Sequence, residues 1–170
     1  MNYFASYAPQ TAEELKKAWK DLYITHHPDN GGNLLAMQMI NAQFDALHAR
    51  LKDVHYNLKG DIYASKRKTN ESPAEWRSMM EGLLKKEGVI VEIIGSFVWV
   101  SGDTKPIKET LKSYKFKWHT KKFNWYLSPD NYYRRSRKDF TMDDIRNKFG
   151  SEQIELSEAL EMFDKAIMSA

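Results

Sequence analysis

The sequence contains no cysteine among its 170 residues. This absence excludes disulfide bonds and every zinc site that is built from thiolate ligands. No apolar stretch approaches the length that a membrane-spanning helix requires. Residues 1–4 show no basic region followed by an apolar run, so we expect no signal peptide. We therefore predict a protein of a reducing cytoplasm that makes no membrane contact.

Constellations of catalytic residues are also missing from the sequence. There is no cysteine nucleophile, no glycine-rich phosphate loop, and no histidine pair four residues apart with a carboxylate between. His48 and His55 are seven residues apart on one predicted helix, but two ligands without a third do not make a metal site. The sequence thus predicts a protein that is not an enzyme and holds no metal or cofactor.

The N-terminal part has the pattern of two antiparallel helices. Thr11 and Glu14 form a predicted capping box, and Pro28 ends the first helix. The apolar stripe of the first helix is Leu15, Ala18, Trp19 and Leu22, and that of the second is Met37, Ile40, Phe44, Leu47 and Leu51. Lysines fall on the other faces of the first helix. The two helices are joined by a loop that carries His27, Pro28 and Asp29.

Residues 2–52 resemble the J-domain of the DnaJ co-chaperone family. Residues 3–4 (YF) stand where that family has its short first helix, residues 14–19 (ELKKAW) match its second helix, and residues 40–44 (INAQF) match its third. The whole chain is similar to small two-domain J-domain-like proteins of phages, plasmids and Gram-positive bacteria. That similarity rests on residues 96–104 (SFVWVSGDT), 124–126 (NWY) and 144–150 (DIRNKFG).

The resemblance implies a partner, a DnaK-type chaperone. In the family, a positive second helix docks on an acidic region of that chaperone, and the His-Pro-Asp loop promotes its ATP hydrolysis. Asp29 would accept charge-assisted hydrogen bonds from a partner arginine. The chain departs from the family in having Asp21 and Thr25 where many J-domains are basic. The alternative is that the tripeptide is only a helix stop and turn. The predicted chaperone-binding residues are Lys16, Lys17, Lys20, His27, Pro28 and Asp29.

The predicted fold class is α+β, with a J-domain-like helical hairpin at residues 1–58 and a polar linker at 59–71. A small α-β-β-α-β-β domain follows at residues 72–150, and an acidic helical tail at 151–170. Ser72 and Glu75, with Pro73 between them, give a helix start to the second domain. Trp118 and Trp125 alternate with polar residues, so we expect both in its core.

A basic and aromatic stretch at residues 105–138 contains Glu109 and Asp130 as its only acids. Lysines that follow a phosphate backbone, with rings that stack on bases, are typical of single-stranded nucleic-acid binding. An acidic protein or a nucleoprotein is the alternative ligand. The predicted contact residues are Lys115, Lys117, Lys121, Lys122, Tyr132, Tyr133, Arg134, Arg135 and Arg137.

These patterns together predict a co-chaperone-like adaptor. Its helical hairpin would engage a DnaK-type chaperone, and its second domain would bind a client or nucleic acid. The competing hypothesis is a phage or mobile-element protein that inhibits or redirects a host machine. Such a machine would be a nuclease or an anti-phage or CRISPR defence complex, and the J-like hairpin would serve as a plain binding surface.

Overall fold

The computed structural model describes residues 1–57, 59–132 and 139–149. Its helices are α1 (Ala12–His26), α2 (Leu34–Leu51), α3 (Pro73–Leu84), α4 (Lys108–Ser113) and α5 (Met142–Phe149). Its strands are β1 (Val54–Tyr56), β2 (Ile62–Ala64), β3 (Val89–Ile94), β4 (Phe97–Gly102), β5 (Lys117–His119) and β6 (Asn124–Leu127). The predicted α+β class is confirmed. The predicted helical tail at residues 151–170 lies outside the described residues.

Local sequence signals fix the two N-terminal helices. The Thr11 side chain accepts a hydrogen bond from the Glu14 amide, and the Glu14 carboxylate accepts one from the Thr11 amide, which confirms the capping box. The Asn33 side chain caps α2 by accepting hydrogen bonds from the amides of Leu35 and Ala36. The predicted stripe of α1 is buried, with Leu15 and Trp19 fully inaccessible to solvent. Between the helices, residues Pro28–Asn30 form one turn of 3-10 helix.

A four-stranded antiparallel sheet follows, in the order β3-β4-β6-β5. One face of this sheet contributes Val91, Val98 and Val100 to the core, opposite the buried stripe of α3. From α3, Trp76 stacks on Phe44 with ring centroids 5.3 Å apart and meets Trp19 edge to face, also at 5.3 Å. The hydrophobic core is therefore continuous between the helical hairpin and the α/β part.

The segment predicted as a polar linker, residues 59–71, is ordered. Its strand β2 pairs antiparallel with β1 in a hairpin that the sequence pattern did not indicate. Thr69 is buried, its amide donates to Asp53, and its hydroxyl donates to Asp130 at 2.6 Å. These bonds tie the segment to the end of α2 and to the loop after β6. This segment therefore contacts both parts of the protein and does not act as a free linker.

Helix α5 lies against the opposite face of the sheet. Thr141 and Asp144 form its capping box. Arg146 makes two hydrogen bonds, at 2.8 and 2.9 Å, to the carboxylate of Glu92, a side chain that is only 1% exposed. The Tyr56 hydroxyl donates to the carbonyl of Phe149 and so joins α5 to β1. Both faces of the sheet are thus covered near β3.

Candidate functional site

The His-Pro-Asp turn lies at the tip of the helical hairpin. The His27 ring packs on Tyr23 with centroids 4.4 Å apart, and its Nδ1 accepts the Asp29 amide at 3.1 Å. Pro28 and Asp29 are exposed to solvent. The ammonium of Lys85, just after α3, lies 3.0 Å from the Asp29 carboxylate, and its hydrogen bond lowers the pKa of that group. The turn is therefore accessible, but its acid already pairs with a cation of the α/β part.

Two of the α1 lysines make contacts within the protein. Lys20 is 2% exposed, and its ammonium donates at 3.0 Å to the carbonyl of Val91 in the edge strand β3. Lys16 forms an ion pair with Glu71 at 2.7 Å and lies over the Trp76 ring. The prediction that Lys20 belongs to a positive partner-binding face is therefore wrong, because the sheet edge uses this lysine as a hydrogen-bond donor.

Burial of α1 extends beyond its lysines. Of its 15 residues, only Glu14 and Thr25 are exposed, and Lys17 is half-buried. At the same interface burial raises the pKa of Glu71, but the charges of Lys16 and His48 outweigh that effect and leave it lowered. A partner that docks along α1, as the J-domain resemblance implies, would have to displace the α/β part.

A groove with a volume of about 640 Å³ opens between α4 and β5. Phe116 and Trp125, both less than 8% exposed, form its apolar floor. Trp118 stands at its edge, 44% exposed, with its ring edge to face on Trp125 at 5.5 Å. The remaining lining residues are Thr104, Lys105, Lys108, Lys112 and Lys117. Four lysines and one partly exposed indole ring therefore line the same groove, and the Lys112 ammonium also pairs with Glu109 at 2.9 Å.

The sequence positions this groove through two local features. Ile107 and Leu111 point into the core from the start and middle of α4, which leaves Lys108 and Lys112, four residues apart, on another face. Strand β5 is the last strand of the sheet, so Trp118 has a neighbouring strand on one side only within the described residues. The prediction that Trp118 is a core residue is wrong for this reason. The prediction for Trp125 is confirmed, since it is 7% exposed.

The residues predicted to contact nucleic acid are dispersed. Lys117 lines the groove, and Lys115 is exposed in left-handed backbone with φ 66°. Lys121 and Lys122 both bind Asp139, at 2.8 and 3.2 Å. Tyr132 is 48% exposed and meets Phe97 edge to face. The other predicted contacts lie outside the described residues: Tyr133, Arg134, Arg135 and Arg137.

The lysines in α4 and just before it were not predicted as one group. The spacing of Lys105, Lys108 and Lys112, three and four residues, would have indicated one helical face. What the spacing could not reveal is that this face meets the exposed edge of Trp118 across the groove. That contact depends on which strand ends the sheet.

His48 and His55 each pair with a different acidic residue. His48 belongs to α2 and bonds Glu71, whereas His55 belongs to β1 and bonds Glu13 at 2.5 Å, so the two are not on one helix as predicted. Within the described ranges, no three histidine or acidic side chains are grouped so that they could hold a metal. Over the same residues, no helix has the length and apolar character needed to cross a membrane.

Comparison of the chain with models of known protein families, with curated proteins and with solved structures found no match. The resemblance to J-domains therefore stays a prediction that rests on the sequence motifs, and the function has to be argued from the geometry of the site.

Proposed function

We propose that this protein is a non-enzymatic adaptor whose α/β part binds single-stranded nucleic acid in the groove between α4 and β5. The observation that carries this proposal is that four lysines line one groove together with the exposed Trp118.

The chemistry of the groove fits a phosphate backbone with unpaired bases. Lys105, Lys108 and Lys112 line the α4 side of the groove, and Lys117 lines the β5 side. Neutralised phosphates release counterions, which gives an affinity that falls steeply with salt. A base that stacks on Trp118 would add about 1–3 kcal/mol without reading sequence. The ring of Trp125, in the apolar floor of the groove, packs against the Trp118 indole.

Titration of the full chain with a labelled oligothymidylate at several salt concentrations tests the proposal. The double variant Lys105→Glu, Lys108→Glu should bind at least about tenfold more weakly at low salt. Its log–log salt slope should fall by about 0.7 for each phosphate that a lysine no longer neutralises. The matched control is Lys66→Glu, Lys86→Glu, which makes the same charge change at exposed positions outside the groove. If both double variants bind the oligonucleotide equally weakly, the loss of affinity follows from net charge alone. That result would reject the groove as the binding site.

A contact with a DnaK-type chaperone is a second candidate function, favoured by the exposed Pro28 and Asp29 at the hairpin tip. Because α1 is covered, the contact would be confined to the turn unless the α/β part moves. Stimulated single-turnover ATP hydrolysis that is abolished in His27→Gln and kept in Thr25→Ala would support it. No stimulation by the wild type would remove it. The hypothesis of a mobile-element inhibitor rests on sequence resemblance alone. The proposed setting, the cytoplasm of a bacterial host, rests on the same resemblance.

A further inference from the structure

Phe123 occupies a position that folding alone does not explain. It stands at the end of the turn between β5 and β6 and is 75% exposed, more than any other large hydrophobic side chain of the described residues except Met1. Its backbone has φ 51°, in the left-handed region. Glycine or asparagine occupies that region at little cost, whereas a bulky side chain is strained there.

The turn itself shows why the strain persists. The Lys122 amide bonds the His119 carbonyl at 3.2 Å, and the chain then has to re-enter the ladder at Asn124, the partner of His119. A turn of this kind followed by one left-handed residue is a common hairpin connection, and its last position favours glycine. A phenylalanine at that position strains the backbone and also leaves its ring in water. Strained and exposed residues of this type concentrate at binding sites.

Phe123 immediately precedes β6, the strand that contributes Trp125 to the proposed groove. The pair His119–Asn124 is the neighbour of the pair Trp118–Trp125, which contributes both of its rings to the groove. In the sequence, Phe123 precedes Trp125 by two residues. Lys121, with a side chain that is 76% exposed, stands beside it in the turn.

We propose that Phe123 is a second stacking ring, and that with Trp118 it selects nucleic acid whose bases are unpaired and unstacked. This inference rests on the proposed function. A phenyl ring offers no hydrogen bond to a base edge, so it adds affinity without sequence preference. In a duplex both faces of each base are already stacked on neighbours, so a duplex gains only the lysine contacts. Phe123 therefore determines the preference for single strands.

The test compares single-stranded and duplex oligonucleotides of equal length on the full chain. Phe123→Asn should raise the melting temperature, because asparagine tolerates left-handed backbone. It should weaken single-strand binding by about 5- to 150-fold, the range for removal of one stacked base, and leave duplex binding unchanged. Phe123→Tyr keeps the ring and should keep the affinity. Ala8→Gly is the matched control, because it relieves another left-handed residue, φ 41°, in the N-terminal segment.

The outcomes separate this inference from the proposed function. Absence of any binding by the wild type at low salt would reject the proposed function itself. Wild-type binding that Phe123→Asn leaves intact, or an equal weakening for single strands and duplex, would overturn the stacking role alone. A lower melting temperature for Phe123→Asn would show that the ring serves the fold, and would also overturn it.

Discussion

Asp139 neutralises the two lysines at the β5–β6 turn, and its removal should strengthen polyanion binding. The Asp139→Asn variant loses one negative charge and frees Lys121, which is otherwise exposed. We expect affinity for a single-stranded oligonucleotide to rise about two- to fivefold at low salt, the equivalent of one exposed charge interaction. The gain should vanish at high salt. Glu87→Gln makes the same charge change at an exposed site and should have a smaller effect; equal gains would contradict the specific role.

The same residue predicts a pH dependence of stability. Hydrogen bonds from Lys121 and Lys122 lower the pKa of Asp139 to about 2, below the value of about 3.9 for an unfolded aspartate. A lowered pKa means that the pair's contribution to folding is present above pH 4 and is lost as the pH falls towards 2. Thermal melts of the wild type and Asp139→Asn should therefore differ most above pH 4 and converge near pH 2. A constant difference across that range would contradict this assignment.

Individual residues show where sequence reasoning succeeds. The caps at Thr11 and Thr141 and the stripe through Trp19 were predictable, because each depends on residues within one turn or two of helix. The buried state of Lys20 and the exposed state of Trp118 were not predictable in this way. Both depend on which strands lie at the edges of the sheet. The order of the strands is determined by contacts between residues that are far apart in the sequence.

One ion pair to a buried carboxylate joins helix α5 to the sheet. Arg146→Ala would leave the buried carboxylate of Glu92 without its guanidinium, and breaking such a pair costs about 3–5 kcal/mol of the free energy of unfolding. Urea denaturation measures this decrease. Asp143→Asn is the control, since it removes only the exposed partner of the same arginine and should cost about 0.5 kcal/mol or less. Equal effects of the two substitutions would show that α5 contributes little to stability.

At the level of elements, the order α-β-β-α-β-β from α3 to β6 was correctly predicted from periodicity and turn residues. Ser72 accepts the Glu75 amide and begins α3 as expected. The β1–β2 hairpin was missed because its strands have three residues each and those of β2 are exposed, so no alternation distinguishes them from a polar linker. That hairpin is defined by its strand pairing, and the segment after it is held by the hydrogen bonds that Thr69 donates to Asp53 and Asp130.

At the level of the whole molecule, the division into two domains stays a prediction, but the structure changes what its test should show. Contacts that cross the predicted boundary include the Trp76–Phe44 stack, the hydrogen bond from Lys20 to Val91 and the ion pair between Arg77 and Asp45. Two parts that share a core in this way lose apolar burial when they separate. We therefore expect one cooperative unfolding transition for the described parts.

Limited trypsin digestion tests this expectation directly. Residues 66–68 are exposed and basic, so trypsin should cut there first. Denaturing gels should then show two fragments, while gel filtration under native conditions should show one peak at the position of the uncut chain, because the shared core holds the fragments together. Trp76→Ala removes the ring that meets both Trp19 and Phe44, and in that variant the cut fragments should elute separately. Fragments of the wild type that elute separately would instead establish two independent domains with a cleavable linker.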